Sequence, residues 1–123
     1  MTINIFCVGC GGFLGAIARY IISIYTSKQF LFKIPLGTLI VNVLGGFLIG
    51  LIMELTIKNN FISPQLKLFL TTGIMGGLTT FSTFSYETIV LIKEGNILLA
   101  ILNILLNLIL SLLGVVLGNI VIK

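Results

Sequence analysis

Residues Gly73 to Glu87 read G-I-M-G-G-L-T-T-F-S-T-F-S-Y-E, inside a segment otherwise apolar enough to span a bilayer. Three glycines followed by five hydroxyl residues and two phenylalanines make a poor lipid-facing helix. Hydroxyls and a loose backbone at membrane depth make sense where they face protein, water or an ion. Gly73, Gly76 and Gly77 weaken the helix just before Thr79 and Thr80, and a break there frees main-chain carbonyls able to coordinate a small hard cation. Beyond the break, Phe81 and Phe84 share one face, Ser82 and Ser85 the adjacent face, and Thr83 and Glu87 a third line. Core packing is the plain reading of two phenylalanines at this spacing, but these alternate with hydroxyls that want water. Aromatic rings are positive at the edge, so a pair presented edge-on contacts an anion without neutralising it. That suits a small, hard anion that must bind weakly enough to leave.

The elements that hold this stretch follow from composition. Of 123 residues, 58% are apolar and 8% charged, more apolar surface than a soluble domain of this size can hide. A membrane span needs about 20 predominantly apolar residues. Four candidate spans fit, at about 3–25, 35–57, 66–92 and 97–122, and they leave almost nothing for a soluble domain. The chain reads as a single all-α membrane domain of four transmembrane helices with a break in the third. No basic stretch precedes the first apolar run, so that run is not a secretory signal. Cys7 and Cys10 lie on the first span with no histidine in the chain, and read as buried small residues without function.

The net charge of +4 comes from scattered residues and does not point to nucleic acid. Lys58, Lys67 and Lys123 fall on one side of the four-span topology, and Lys28, Lys33 and Lys93 on the other. Such balance removes the positive-inside bias and permits insertion in both orientations.

Small and polar residues recur at helical spacing on the spans. The first carries Gly12, Ala16 and Ser23 with a Gly11-xxx-Gly15 pair, and the second Thr38, Asn42, Gly46, Gly50 and Glu54. The fourth carries Asn96, Asn103, Asn107, Ser111, Gly114 and Gly118. Small-xxx-small spacing lets helix backbones approach closely in lipid. An unpaired amide in hydrocarbon costs roughly 2–7 kcal/mol, so Asn42, Asn103 and Asn107 must each meet a partner, a water or an ion. Asn103 and Asn107 suit interhelical hydrogen bonds as well as an ion, whereas Asn42, on the Thr38 stripe, is the better pathway residue. Arg19 is the only charge well inside a span; it either snorkels to the interface or gives a vestibule a fixed positive field. Glu54 and Glu87 lie near span ends, as interface anchors or proton sites.

Three motifs in order resemble the Fluc fluoride channels, also called CrcB proteins: G-G-F-L-G-A-I-A-R-Y at Gly11–Tyr20, G-T-L-I-V-N at Gly37–Asn42, and G-G-L-T-T-F-S-T-F-S at Gly76–Ser85. The resemblance covers essentially the whole chain. It implies an antiparallel dual-topology homodimer in the cell membrane with two fluoride pores, which the lysine balance allows. It implies that Phe81, Phe84 and Asn42 line the pore, with Ser82, Thr83 and Ser85 as a polar track and Glu87 near its end. Thr38 lies on the Asn42 stripe and joins that pathway. It also implies a structural sodium ion at the dimer centre, held by the main-chain carbonyls of Gly76 and Thr79 from each subunit. Arg19 matches the family's first-helix arginine. One departure is plain: family members carry a tyrosine in the fourth helix, and this helix has no aromatic residue, Asn103 standing nearest to that place.

Competing classes are weaker on the residues. A proton-coupled small multidrug-type exporter of cations needs an acidic residue deep in the first helix, which offers Arg19 instead. An accessory subunit uses intramembrane polar groups only to join helices, and so tolerates Phe81→Ile. A lipid-acting enzyme needs a nucleophile–base pair, and none is evident.

Overall fold

A computed structural model describes residues 1–29, 34–58 and 62–122, and among them the regular structure is all helical. Helix α1 runs Thr2–Gln29, α2 Leu36–Lys58, and α6 Ile97–Val121. Within these, three stretches, Thr2–Thr26, Leu36–Lys58 and Ile97–Val121, are long and apolar enough to cross a membrane. The expected third span is not one helix. It starts with α3, Pro64–Leu68, widens into a π-helical stretch, Phe69–Met75, and returns to α4, Gly76–Leu78. After the extended residues Thr79 and Thr80 it resumes as α5, Phe81–Lys93. Lys33 and Lys123, which enter the charge balance, lie outside the described residues.

Local chemistry sets the ends of the third segment. Ser63 caps α3, its Oγ accepting the Leu66 N–H at 3.2 Å, and Pro64 occupies the first turn, where no N–H is needed. At the far end Gly95 takes φ 77°, a left-handed conformation that favours glycine. Gly95 N–H donates to Ile92 O at 3.0 Å and Asn96 N–H to Leu91 O at 2.9 Å, which closes α5 and turns the chain into α6.

Two close helix pairings build the rest. Helix α2 lies mainly against α6, and α1 against the first half of the third segment. Both pairings use glycine where backbones touch. A Cβ on Gly46 would stand 2.6 Å from Ser111 O, and one on Gly114 2.9 Å from Val43 O. Across the other pairing a Cβ on Gly73 would stand 2.8 Å from the Gly11 Cα. Gly15 faces Ile74 O and Leu78 N in the same way. Where the pairs meet, Val41, Ile52, Met75 and Leu78 are buried, with Ala18, Ile22 and Leu48 against them. Outward faces are apolar and exposed, as lipid contact demands: Phe6, Phe13 and Ile17 on α1, and Leu105, Leu112 and Val116 on α6.

The helix gives way at Thr79 and Thr80, as the sequence leads one to expect, and Gly73 and Gly77 before the break also dock against α1. One expectation changes. Cys10 is exposed and Cys7 half-buried, because α1 turns Gly11 and Gly15 inward and leaves the cysteines toward its outer side.

Gly77→Ala places a Cβ 2.5 Å from Gly12 O and 2.9 Å from Ala16 N, both backbone atoms that cannot step aside. It is expected to destabilise the purified protein by about 1–3 kcal/mol or more in a denaturation series. Gly76→Ala, whose nearest neighbour is Thr71 O at 4.0 Å, is expected to unfold with the wild type.

Candidate functional site

The extended backbone at Thr79 (φ −82°, ψ 157°) and Thr80 (φ −153°, ψ 118°) presents polar peptide groups in the middle of a span. No water is at hand in hydrocarbon, so those groups need protein partners. Asn42 of α2 provides them. Thr80 N–H donates to Asn42 Oδ1 at 2.9 Å, and Asn42 Nδ2 donates to Thr80 O at 3.2 Å. One side-chain amide thereby pairs both polar groups of one residue, as a neighbouring strand would. The second Asn42 N–H goes to Asn107 Oδ1 on α6, at 2.9 Å.

This pairing has a consequence for the carbonyls before the break. In an unbroken helix Thr80 N–H would serve Gly76 O, and Thr83 N–H would serve Thr79 O. Thr80 N–H is given to Asn42, and Thr83 N–H to Thr80 Oγ1 at 3.1 Å, which caps α5. The regular donors of Gly76 O and Thr79 O are therefore both redirected. These are the two carbonyls to which the family resemblance assigns a cation.

On α5 the hydroxyls fall into two groups. Thr80 Oγ1 donates to Thr83 Oγ1 at 3.1 Å and lies 3.2 Å from Ser82 Oγ, which gathers three hydroxyls at the head of α5. The N-terminal end of a helix carries partial positive charge, so this polar cluster sits where an anion is favoured. Ser85 Oγ instead donates to its own helix, at Phe81 O, 2.8 Å away. The Phe81 and Phe84 rings lie 5.4 Å apart with planes tilted by 57°, an edge-involving arrangement. Phe84 is buried, whereas Phe81 is 75% exposed. At the other end of the line, Thr38 Oγ1 donates to Glu87 Oε1 at 2.8 Å. Glu87 Oε2 is buried and has no hydrogen-bond partner.

A groove of about 460 Å³ brings most of these groups together. Gly76, Thr79, Thr80, Phe81 and Phe84 form one wall; Asn42 and Gly45 of α2, and Asn107 and Ser111 of α6, form the others. Among the expected site residues, Asn42, Phe81, Phe84, Gly76 and Thr79 share this groove. Thr83 and Ser82 join it through Thr80, and Thr38 and Glu87 form a separate pair on the α2–α5 contact. Arg19 is half-buried on α1 and enters none of these hydrogen bonds.

Four residues have larger parts than their sequence positions suggested. Thr80 is the hub of the break, signalled by the glycines before it and the adjacent Thr-Thr pair. Asn107 joins Asn42, and Asn103 joins Thr88 at 2.9 Å, so both asparagines serve interhelical hydrogen bonds. Thr88 was not singled out; its place one turn after Phe84, opposite the asparagine stripe of α6, was the available clue. Asn42→Leu would strip partners from Thr80 N–H, Thr80 O and Asn107 Oδ1 together. With about 1–3 kcal/mol at stake for each buried group left unpaired, it should destabilise the fold far more than Ser85→Ala in denaturant titration.

Residues 6–119 match the family of CrcB-like proteins, described as camphor resistance (CrcB). The chain is 63% identical over 112 residues to a protein named fluoride-specific ion channel FluC from Clostridium perfringens, covering 91% of this chain and 88% of the relative. It is 60% identical to the protein of that name from Clostridium novyi, with the same coverage. Over 121 residues it is 48% identical to the one from Ruminiclostridium cellulolyticum, covering 98% and 93%. With its motifs, broken third segment and this extent of similarity, the chain belongs to the CrcB family.

Proposed function

We propose that this protein is a passive, fluoride-selective ion channel of the cell membrane, acting as an antiparallel dual-topology homodimer. The observation that carries the reading is the tilted Phe81–Phe84 pair beside the hydroxyl-lined break, in a chain whose relatives are named fluoride-specific channels. Family membership and helices long and apolar enough to cross a membrane make it a multi-pass membrane protein. It is a channel and not an enzyme.

Fluoride enters cells as the neutral weak acid, ionises at the higher internal pH and is trapped. With a membrane potential negative inside, a selective pore lets the anion leave, each charge gaining about 2.3 kcal/mol per 100 mV. The pore needs groups that attract a small anion without holding it. Ring edges of Phe81 and Phe84 offer weak positive potential, and Ser82 and Thr83 offer hydroxyl donors. Thr38 and Glu87 mark the end of this polar track. Asn42 keeps the pore wall in shape, with its amide hydrogens already held by Thr80 O and Asn107. Chloride, larger and more weakly hydrogen-bonded, gains less from a narrow hydroxyl-lined path.

The dimer reading rests on the lysine balance and on Phe81, whose large exposure in a single chain leaves a pore wall open for a second copy. A structural sodium ion fits the same frame. The Gly76 and Thr79 carbonyls have lost their regular donors, and both residues line the groove. Bound by these carbonyls from both subunits, the ion would supply fixed positive charge between two broken helices. Arg19 would add positive potential at the pore entrance.

Liposomes loaded with fluoride and carrying the purified protein are expected to release it rapidly once a potassium ionophore clamps the potential, and to retain chloride. Phe81→Ile and Phe84→Ile are expected to lower the fluoride rate by at least about tenfold, roughly 1.4 kcal/mol, with elution of the folded protein unchanged. Unaltered fluoride release from both variants would contradict the pore assignment.

A further inference from the structure

Five hydrogen bonds run head to tail through the buried and half-buried polar groups around the break. Thr80 N–H donates to Asn42 Oδ1 (2.9 Å), and Asn42 Nδ2 to Asn107 Oδ1 (2.9 Å). Asn107 Nδ2 donates to Asn103 Oδ1 (3.0 Å), Asn103 Nδ2 to Thr88 Oγ1 (2.9 Å), and Thr88 Oγ1 to Phe84 O (2.8 Å). The chain leaves the third segment at Thr80, crosses α2 and α6, and returns to α5 at Phe84. Every amide faces the same way, and the two backbone ends fix that direction. Thr80 N–H can meet only an oxygen, and Phe84 O only a donor.

Asn42 holds Thr80 correctly only with Oδ1 toward the N–H and Nδ2 toward the carbonyl. Turned over, it would set an NH₂ group against an N–H and an oxygen against an oxygen. Among the described residues, the side-chain partner that senses which way Asn42 faces is Asn107, whose Oδ1 accepts the second Asn42 hydrogen. Asn107 is itself anchored twice, since Nδ2 also donates to the Asn103 main-chain carbonyl at 3.0 Å.

We infer that Asn107 is a positioning residue: it holds the Asn42 amide in the one orientation that pairs with the Thr80 backbone, and through it keeps Thr80 N–H away from Gly76 O and the third segment open. The inference rests on the channel reading for its functional meaning, but its structural content stands apart from conduction. It differs from a packing role in the order of effects. Asn103 is 0% exposed and Asn107 4%, so packing ranks Asn103 first or the two alike. Positioning ranks Asn107 first, because Asn103→Leu keeps the main-chain carbonyl that anchors Asn107.

Amide hydrogen exchange of the purified protein, read at Thr80 by NMR, separates the two. Thr80 N–H is expected to be protected in the wild type and to exchange about tenfold faster in Asn107→Leu, with a smaller change in Asn103→Leu. Asn107→Ser provides a second variant, because a serine hydroxyl turns back to the carbonyl one turn earlier and leaves Asn42 unpaired. It should match Asn107→Leu. Unprotected Thr80 in the wild type, unchanged exchange in the Asn107 variants, an equal or larger effect from Asn103→Leu, or loss of the fold in both Asn107 variants would overturn the inference. Wild-type liposomes assayed alongside for fluoride release test the channel reading on its own: without release that reading falls, while the exchange at Thr80 still decides the role of Asn107.

Discussion

A peptide group in the middle of a membrane span has no water to bind, and an unpaired one costs several kcal/mol. The third segment of this protein places such a group at Thr80, and the Asn42 side chain pairs both its N–H and its carbonyl. Without that pairing, the favourable course for the backbone is to continue the helix and close the bond from Thr80 N–H to Gly76 O. With it, α4 ends and α5 begins within one span. The carbonyls of Gly76 and Thr79 lose their regular donors, and α5 starts anew at the groove, with the Thr80, Ser82 and Thr83 hydroxyls gathered at its head. Polar character at the site is thus a product of one interhelical amide contact.

That contact needs α2, α6 and the third segment at fixed separations, and glycine sets them. Gly46 and Gly114 bring α2 and α6 to backbone contact, which puts Asn42 and Asn107 within reach of each other. Gly11, Gly15, Gly73 and Gly77 bind the first half of the third segment to α1. The second half, α5, is held differently, through Thr38–Glu87 to α2 and Asn103–Thr88 to α6. The two halves therefore hang on different neighbours, the first by close backbone packing and the second by side-chain hydrogen bonds. A groove opens at their junction.

Much of this was legible in the sequence because it follows from long apolar runs and fixed spacings. The spans, the small-residue stripes and the need to pair Asn42, Asn103 and Asn107 come from the cost of polar groups in lipid. The cause of the break was less legible than its place. Gly73, Gly76 and Gly77 drew attention as helix breakers, yet a glycine tolerates a helix when a second backbone lies against it, as Gly12 and Ala16 lie against Gly77. The break is held open by a side chain on another helix that competes for a backbone N–H, and no local propensity at Thr80 reports that. Pairing between particular asparagines was equally out of reach, because it depends on how far α2 and α6 slide along each other.

The central claim is that the groove at this break conducts fluoride down its own gradient. The direct measurement is the reversal potential of current through the purified protein in a planar bilayer, with unequal fluoride, equal chloride and a variable pH difference. Reversal at the fluoride equilibrium potential, unmoved by the pH difference, is the predicted result. A reversal potential that follows chloride or the proton gradient, or no current from folded protein, would contradict it.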